Sequence, residues 1–314
     1  MNAEEAERKR EQDEVKLYCD RLLRTAAVKE VYPTPVDKLV EAAELVKSGD
    51  LALLEIKEEV FPQRLFRKLK SSLSDLISLV KAGLFPKEKT IFINPGTHAS
   101  SIPFVTLHEC VHNILPWQKK TFIYLDDEKT LDPEARFRFE REANFGASYL
   151  LWQGEDYVKK SLDLPINVAT PISLAKLFGG SIHSSMRYYV ENHRAPIGLL
   201  VFQRTNDGVA PANLFNRHQL RYFSASAKFK ERFGLQGFTL GKTDINILLT
   251  RPRELDLYWN GEIILDINND SVLFEYSGCE TPYNIFIILV QTNSARRYGK
   301  PIVIIEYSTR NNYF

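Results

Sequence analysis

The spacing of apolar residues divides the chain into a helical first part and a strand-rich last part. In residues 1–31, 36–46 and 63–82, apolar positions recur every three to four residues, which predicts amphipathic helices. Residues 89–94 instead form a short apolar run that stops at Pro95-Gly96, which predicts a strand. An ordinary sheet strand is the simpler interpretation. The alternative is an edge strand that binds an extended peptide.

Two longer helices follow this strand. The first is predicted from Pro103 to Leu115 and ends there because Pro116 cannot continue the hydrogen-bond ladder. The second is predicted from Glu134 to Trp152, with Pro133 in its first turn. The connection between them, residues 117–132, contains three consecutive acidic residues at 126–128. We interpret these acidic residues as part of a solvated loop.

The first of these helices contains the motif His-Glu-x-x-His. Residues four apart share one helical face, with Cβ atoms about 5–6 Å apart, so His108 and His112 can reach one metal ion. Glu109 then lies at the rim of that site, where it can take a proton from a water at the metal. Cys110 is two residues from each histidine and points about 200° away from both. We therefore expect Cys110 to be a buried apolar residue and not a ligand.

The second helix offers a third ligand. Glu140 shares one side with Asn144 and Ala147, and a carboxylate on a face of small residues is unusual for a solvated helix. Two histidines and one carboxylate leave a fourth zinc position open, as a catalytic site requires. Asn144 is placed to hold a ligating histidine by accepting from its other ring nitrogen. Glu142 is expected to face elsewhere, as a surface ion-pair partner.

Composition and charge exclude several classes of protein. A length of 314 residues suggests two or three domains, and 41 basic against 40 acidic residues give no global reason to bind nucleic acid or an acidic membrane. The three cysteines form no C-x-x-C pair, so neither a disulfide framework nor a cysteine zinc site is indicated. The sequence shows no secretory signal and no apolar run of membrane-spanning length. We expect a cytoplasmic protein.

Two blocks of sequence carry a resemblance to a known family. They read FVTLHECVH at 104–112 and EREANFGASYLL at 140–151. These blocks resemble the ImmA/IrrE metallopeptidases, whose members typically show an F-T-L-A-H-E-L-G-H-like block and then E-x-x-A-N-x-F-A-x-x-L-L-M-P. The strand at 91–94 and the helix that begins near Pro35 also fit. The resemblance covers residues 33–195.

The resemblance implies a zinc-dependent endopeptidase with a helical, zincin-like domain and a small sheet. His108, His112 and Glu140 would bind zinc, or manganese in the cell, and Glu109 would act as general base. The implied substrate is a protein, an Xre-type helix-turn-helix repressor whose cleavage switches on mobile-element or stress genes. The chain departs from the pattern at Val111, where the family has glycine, and at Trp152-Gln153, where it has Met-Pro. Neither departure removes a ligand, but both bear on helix packing.

The sequence pattern of residues 172–190 predicts a helix, a glycine turn and a second helix. This resembles the helix-turn-helix segment that follows the peptidase part in the family. A DNA reader would use residues 183–187, but this helix is poor in the lysine and arginine that supply most non-specific affinity for DNA. Packing or recognition of a protein partner is therefore favoured over DNA binding. His183 and His193 are expected at the surface.

The pattern changes to strands from Ala195 onward, with one helix near 224–233. Asn260-Gly261 and the residues 268–270 are predicted to be hairpin turns. The expected antiparallel sheet resembles the GAF-like sensory domains of some family members, and a structural or protein-binding module is the alternative. The predicted strands are 197–202, 244–250, 255–259, 262–266, 272–276, 284–291 and 301–307.

Together these features predict an α+β protein in three parts. They are a metallopeptidase domain with N-terminal helices at 1–153, a helix-turn-helix-like segment at 154–195 and a β-rich domain at 196–314. The predicted function is a zinc metallo-endopeptidase. The alternative is a regulatory protein that binds a repressor or DNA through residues 172–192 and the C-terminal domain, without cutting it.

Overall fold

The computed structural model describes residues 3–49, 81–124, 132–204, 218–234, 240–250, 257–268 and 270–291. These residues form an α+β fold with a small mixed sheet and a larger antiparallel sheet, as the sequence predicts. Three predicted features lie outside them: the acidic loop 126–128, the strand 301–307 and the helix 63–82, except for its last two residues.

The N-terminal helices build one side of the first hydrophobic core. Helix α1 spans Ala3–Thr25 and buries Val15, Cys19 and Leu22, whose spacing places them on one face. Helix α2 spans Val36–Ala42. The helix predicted to continue to residue 46 ends earlier, because the chain turns at Glu44, which has a positive φ, and then enters a strand.

The small sheet consists of strands β1 (Val46–Ser48), β2 (Ala82–Phe85) and β3 (Thr90–Ile93). Strand β3 lies in the middle, parallel to β1 and antiparallel to β2. The prediction of an ordinary sheet strand at 89–94 is therefore confirmed, and the alternative of an edge strand there is wrong. Ala82, assigned from the sequence to the end of a helix, begins β2.

Helices α3 (Ile102–Ile114) and α5 (Pro133–Leu151) pack against each other at the centre of the first half. They approach closely because Gly146 has no side chain: a Cβ there would lie 2.8 Å from both methyl carbons of Val111. Helix α4 (Pro116–Tyr124) occupies part of the predicted loop 117–132. Pro116 ends α3, but its fixed φ also suits the first turn of a new helix.

Both residues that replace Met-Pro after α5 have structural partners. Trp152 is buried with its ring edge-on to Tyr157 and Phe178. The amide of Gln153 accepts a hydrogen bond from the backbone of Glu30 at 2.8 Å and donates one to the carbonyl of Val31 at 2.7 Å. These contacts attach the end of α5 to the segment that follows α1.

The predicted helix, glycine turn and second helix are confirmed. Helix α6 (Asp156–Leu162) precedes α7 (Ala169–Phe178), which ends at Gly179 in the left-handed conformation. The Ser181 side chain then caps α8 (Ile182–Asn192) by accepting from the backbone of Ser184.

The larger sheet has the strand order β5-β4-β8-β7-β6 and is antiparallel throughout. Alternate residues of a strand face opposite sides, so Leu199 and Val201 join the first core while Leu200 and Phe202 join a second core. Helices α9 (Ala227–Phe233) and α10 (Lys242–Leu249) cover that second face. The strands are β4 (Ile197–Arg204), β5 (His218–Ala225), β6 (Tyr258–Ile267), β7 (Asp270–Glu280) and β8 (Asn284–Gln291).

Two predictions in this region are wrong. Residues 244–250 belong mainly to helix α10 and not to a strand, since Asp244 accepts from the backbone of Gly241 at 2.8 Å and stabilises the first turn. The hairpin at Asn260-Gly261 does not exist, because β6 continues through it. Gly261 instead makes room for the ring of Tyr276, whose hydroxyl would lie 2.7 Å from an added Cβ. Ile267 and Asp270 are paired, so the chain reverses direction where the second hairpin is predicted.

The first core is continuous across the predicted boundaries near residues 153 and 195. It contains Leu107 from α3, Tyr189 from α8, and Phe286 from β8. In the described part of the chain, no helix combines the length and the apolar character needed to cross a bilayer.

Candidate metal centre

The structure brings His108, His112 and Glu140 together, as the sequence predicts. The Nε2 atoms of the two histidines are 3.0 Å apart, and the Glu140 carboxylate oxygens lie 3.3 Å from His108 Nε2 and 3.7 Å from His112 Nε2. All three ligand atoms lie within 4.8 Å of one another, close enough to bind one metal ion. Two imidazole nitrogens and a carboxylate oxygen are a donor set that zinc accepts, with room for a fourth ligand.

Helix geometry accounts for this convergence. His108 and His112 are one turn apart on α3, so their rings project from the same face. Glu140 projects from α5, and the small buried residues Ala143 and Ala147 on that helix allow it to lie close to α3. The ligand group thus depends on the close contact of these two helices.

His112 is held by a hydrogen-bonded chain that the sequence did not reveal. Its Nδ1 atom lies 2.6 Å from Oε1 of Gln118, and the Gln118 amide nitrogen lies 2.5 Å from the Glu142 carboxylate and 3.3 Å from the carbonyl of Phe139. Both of these oxygens only accept, so the Gln118 NH₂ group must face them and its Oε1 must face His112. His112 therefore donates through Nδ1, and its unprotonated Nε2 faces His108 Nε2 and the Glu140 carboxylate.

Glu142 is not the surface residue expected from the sequence. Its carboxylate is buried and also accepts from the indole nitrogen of Trp117 at 2.8 Å. The expected ion pair exists, with Arg138 at 3.7 Å, but it lies at the rim of this buried cluster. Helical spacing on α5 shows only that Glu142 points away from Glu140. It does not show that α4 folds back over the face that carries Glu142.

The other ligand histidine contacts Asn144. A side-chain hydrogen bond joins His108 to Asn144, the residue that the sequence singled out as a support. Burial favours neutral His108, but the hydrogen bond to Glu140 and the charge of Glu109 together raise its pKa. Burial and the neighbouring His108 lower the pKa of His112. The hydrogen bond to His108 lowers the pKa of Glu140.

Glu109 and the three candidate ligands line one large cavity. Its volume is ≈ 1560 Å³, and its walls include the edge strand β2, helix α5 and helix α8. Phe137, one turn before Glu140, lines it with 68% of its side chain exposed. The candidate base and ligands are thus reachable from solvent through a space much larger than one side chain.

Three other side chains of the first half with reactive or titratable groups, those of Cys110, Tyr149 and His98, are not among the residues that line the cavity. Cys110 is fully buried in the first core, which confirms its assignment as an apolar residue, and burial raises its thiol pKa. Tyr149 donates to Asp20 at 3.1 Å, outside the cavity lining. The exposed His98 caps a short helical turn.

Two further histidines, which we expected at the surface, are at least partly buried. His193 is buried, and its Nδ1 accepts from the backbone of Ala195 at 2.9 Å. His183 is partly buried, with Nε2 2.7 Å from the hydroxyl of Tyr222.

Comparison with known proteins adds no assignment. The sequence matches no protein-family model and no curated protein. One solved structure to which the chain is similar is described as a Mycobacterium tuberculosis transcriptional regulator. It is 11% identical, with a TM-score of 0.48, and the match covers 88% of this chain and 76% of that one. We draw no functional argument from a likeness at this level.

Proposed function

We propose that the chain is a zinc-dependent endopeptidase. The observation that carries the proposal is the convergence of His108, His112 and Glu140 in a solvent-accessible cavity beside Glu109. Their Nε2 and carboxylate oxygen atoms would hold the ion, which when bound supplies Lewis acidity towards a peptide carbonyl and lowers the pKa of water. Manganese would fit the same nitrogen and oxygen donors.

Three further residues would assist the reaction, one by transferring a proton and two by holding the histidine ligands. Glu109 would take a proton from the attacking water on its carboxylate and return it to the leaving amine. Gln118 would keep the proton of His112 on Nδ1, and Asn144 would hold His108 in place.

Strand β2 is suited to bind an extended substrate. Among the described strands it pairs only with β3, and its outer edge lines the cavity. A peptide added along this edge would bind through its main chain, which tolerates many sequences. Gly83 leaves space above the strand, since an added Cβ would meet no atom of the described residues within 4 Å.

The resemblance of the two sequence blocks extends the proposal. It favours a zincin-like assignment for the first half, a GAF-like sensory role for the larger sheet and an Xre-type repressor as substrate in the cytoplasm. These assignments depend on the resemblance and not on the geometry of the site.

Metal content and cleavage, measured on the same preparations, test the proposal. We expect one zinc per purified chain, loss of it in His112→Ala and Glu140→Gln, and retention in Glu134→Gln, an exposed carboxylate at the start of α5. Glu109→Gln should keep the metal and lose cleavage of a quenched fluorescent peptide library. A purified chain that holds no stoichiometric metal would contradict the proposal. Metal binding without cleavage, with unchanged regulation in cells carrying Glu109→Gln, would favour a non-catalytic regulator.

A further inference from the structure

The cavity continues well beyond the metal centre. It extends to the exposed side of helix α8 and to Lys230 on α9, and its ≈ 1560 Å³ exceeds the roughly 300–1,000 Å³ of ordinary small-molecule sites. A space of this size and length suits several residues of a polypeptide better than a metabolite.

Helix α8 forms one wall of this cavity. Its residues Ser184, Arg187, Tyr188 and Glu191 line the cavity and recur at helical spacing, while Tyr189 on the opposite face is buried in the first core. The exposed face of the helix that the sequence marks for DNA or partner recognition therefore looks into the same space as His108 and His112.

Contacts with strand β5 hold this wall in place. Ser224 donates to the carboxylate of Glu191 at 3.0 Å, and Tyr222 shares a hydrogen bond of 2.7 Å with His183. Glu191 also pairs with Arg187 at 2.8 Å along the helix. The wall is thus an ordered surface with fixed charges.

The walls of the cavity are strongly biased towards positive charge. Of the three acidic residues that line it among the described residues, Glu109 and Glu140 belong to the metal centre and Glu191 is paired with Arg187. The net charge of the whole chain is only +1, so this bias is local. The basic residues that line the cavity are Arg8, Lys81, Arg136, Arg141, Arg187 and Lys230, of which Arg187 is paired with Glu191 and Arg141 with Glu11.

We propose that this cavity selects a protein segment rich in acidic side chains, held between the β2 edge and the α8 wall. The inference relies on the proposed function only for the statement that a bond in that segment is cut. Charges of opposite sign across an interface steer encounter and suppress wrong partners. Lys81, next to β2, and Lys230, on α9, both line the cavity and would contact the acidic side chains directly.

A binding measurement with cleavage disabled tests this selectivity. The probes are two rhodamine-labelled twelve-residue peptides with the same Ala-Phe-Gly centre, one flanked by glutamate and the other by lysine. Fluorescence anisotropy with zinc-loaded Glu109→Gln protein should show about tenfold tighter binding of the glutamate peptide at 50 mM NaCl, and a smaller ratio at 300 mM.

Charge-reversal variants test which lysines cause the preference for the glutamate peptide. Lys230→Glu and Lys81→Glu should each weaken binding of the glutamate peptide several-fold, while Lys228→Glu should not. Lys228 is exposed on the same helix as Lys230 but lies outside the cavity lining. Equal affinity for both peptides, or equal weakening by Lys228→Glu, would overturn the proposal.

The outcome separates this inference from the proposed function. If the wild-type protein holds zinc and cuts peptides without regard to charge, only the inference fails. If the glutamate peptide binds selectively but the wild-type protein cuts neither probe nor library, the selectivity is supported and the peptidase proposal fails.

Discussion

Gln118 and Glu142 are joined by a hydrogen bond of 2.5 Å, through which a buried carboxylate determines the orientation of His112. Glu142 lies two residues from the candidate ligand Glu140 on the same helix. Its carboxylate does not join the ligand group but binds Gln118, which in turn binds His112. One helix therefore supplies both a candidate ligand and the support of a second one.

Replacing Gln118 should weaken metal binding without removing a ligand. Gln118→Leu deprives the His112 Nδ1–H group of its acceptor, and the loss of such a partner typically costs about 10–100-fold in metal affinity. Competition with a chromophoric zinc chelator measures the change. Lys120→Ala, an exposed position on the same helix, is the control. Unchanged affinity in Gln118→Leu would mean that the ring is held by its packing alone.

Acid should destabilise the protein partly through His193. Burial lowers the pKa of this histidine, whose Nδ1 accepts a backbone hydrogen bond while neutral. Its contribution is complete above the unfolded pKa of about 6.5 and is lost as the pH falls towards the lower folded value, by at most about 1.4 kcal/mol per pH unit. The measurement is urea unfolding at pH 7.5 and pH 5.5.

The control for this pH effect is His193→Asn, which places an acceptor at the same distance along the side chain but does not titrate. Between the two pH values the variant should lose less free energy of unfolding than the wild type. An identical loss in both proteins would exclude His193 as a source of the acid sensitivity.

The thiols should be unreactive in the folded protein. Cys19, Cys110 and Cys279 are all buried and free, and burial raises their pKa, to about 12 for Cys279. Only the thiolate reacts readily, so an aromatic disulfide reagent at pH 8 should label none of them over minutes and all three in guanidinium chloride. Rapid labelling of one thiol in the native protein would show that its surroundings open.

A methyl group at Gly146 should destabilise the protein. The added Cβ of Gly146→Ala would lie 2.8 Å from both methyl carbons of Val111. Overpacking costs about 1–3 kcal/mol, of which the better helix propensity of alanine returns up to about 1 kcal/mol. Urea unfolding should show a net loss that Gly83→Ala, whose added Cβ would meet no atom of the described residues within 4 Å, does not share.

A double-mutant cycle identifies the cause. Val111→Ala removes the two crowded methyl groups, so combining it with Gly146→Ala should cost less than the sum of the two single changes. Strict additivity would show that the strain at Gly146 has another origin.

Helical spacing is sufficient to predict the candidate ligands and the support of His108 by Asn144, but not the support of His112. His108, His112 and Glu140 follow from the period of two helices, and the geometry confirms their proximity. The Gln118–Glu142 pair depends on the corner at Leu115, where the extended backbone lets α4 fold back over α5. No local pattern encodes a contact across that corner.

The errors in the larger sheet have a similar origin. The sequence predicts Gly261 as half of a turn. In the structure it lies within β6, where its lack of a side chain leaves space for the ring of Tyr276 on the neighbouring strand. The apolar run within 244–250 suits a strand or a helix equally well, and contacts outside it decide between them, such as the bond from the Trp259 indole to the carbonyl of Leu248.

The contact between Val111 and Gly146 couples two positions that are distant in the sequence. Val111 is the larger residue, on α3, and it faces a vacant position on α5. A larger side chain at 146 would therefore fit only beside a smaller one at 111, so each position limits the volume allowed at the other. The tolerance of either position to substitution has to be judged for the two together.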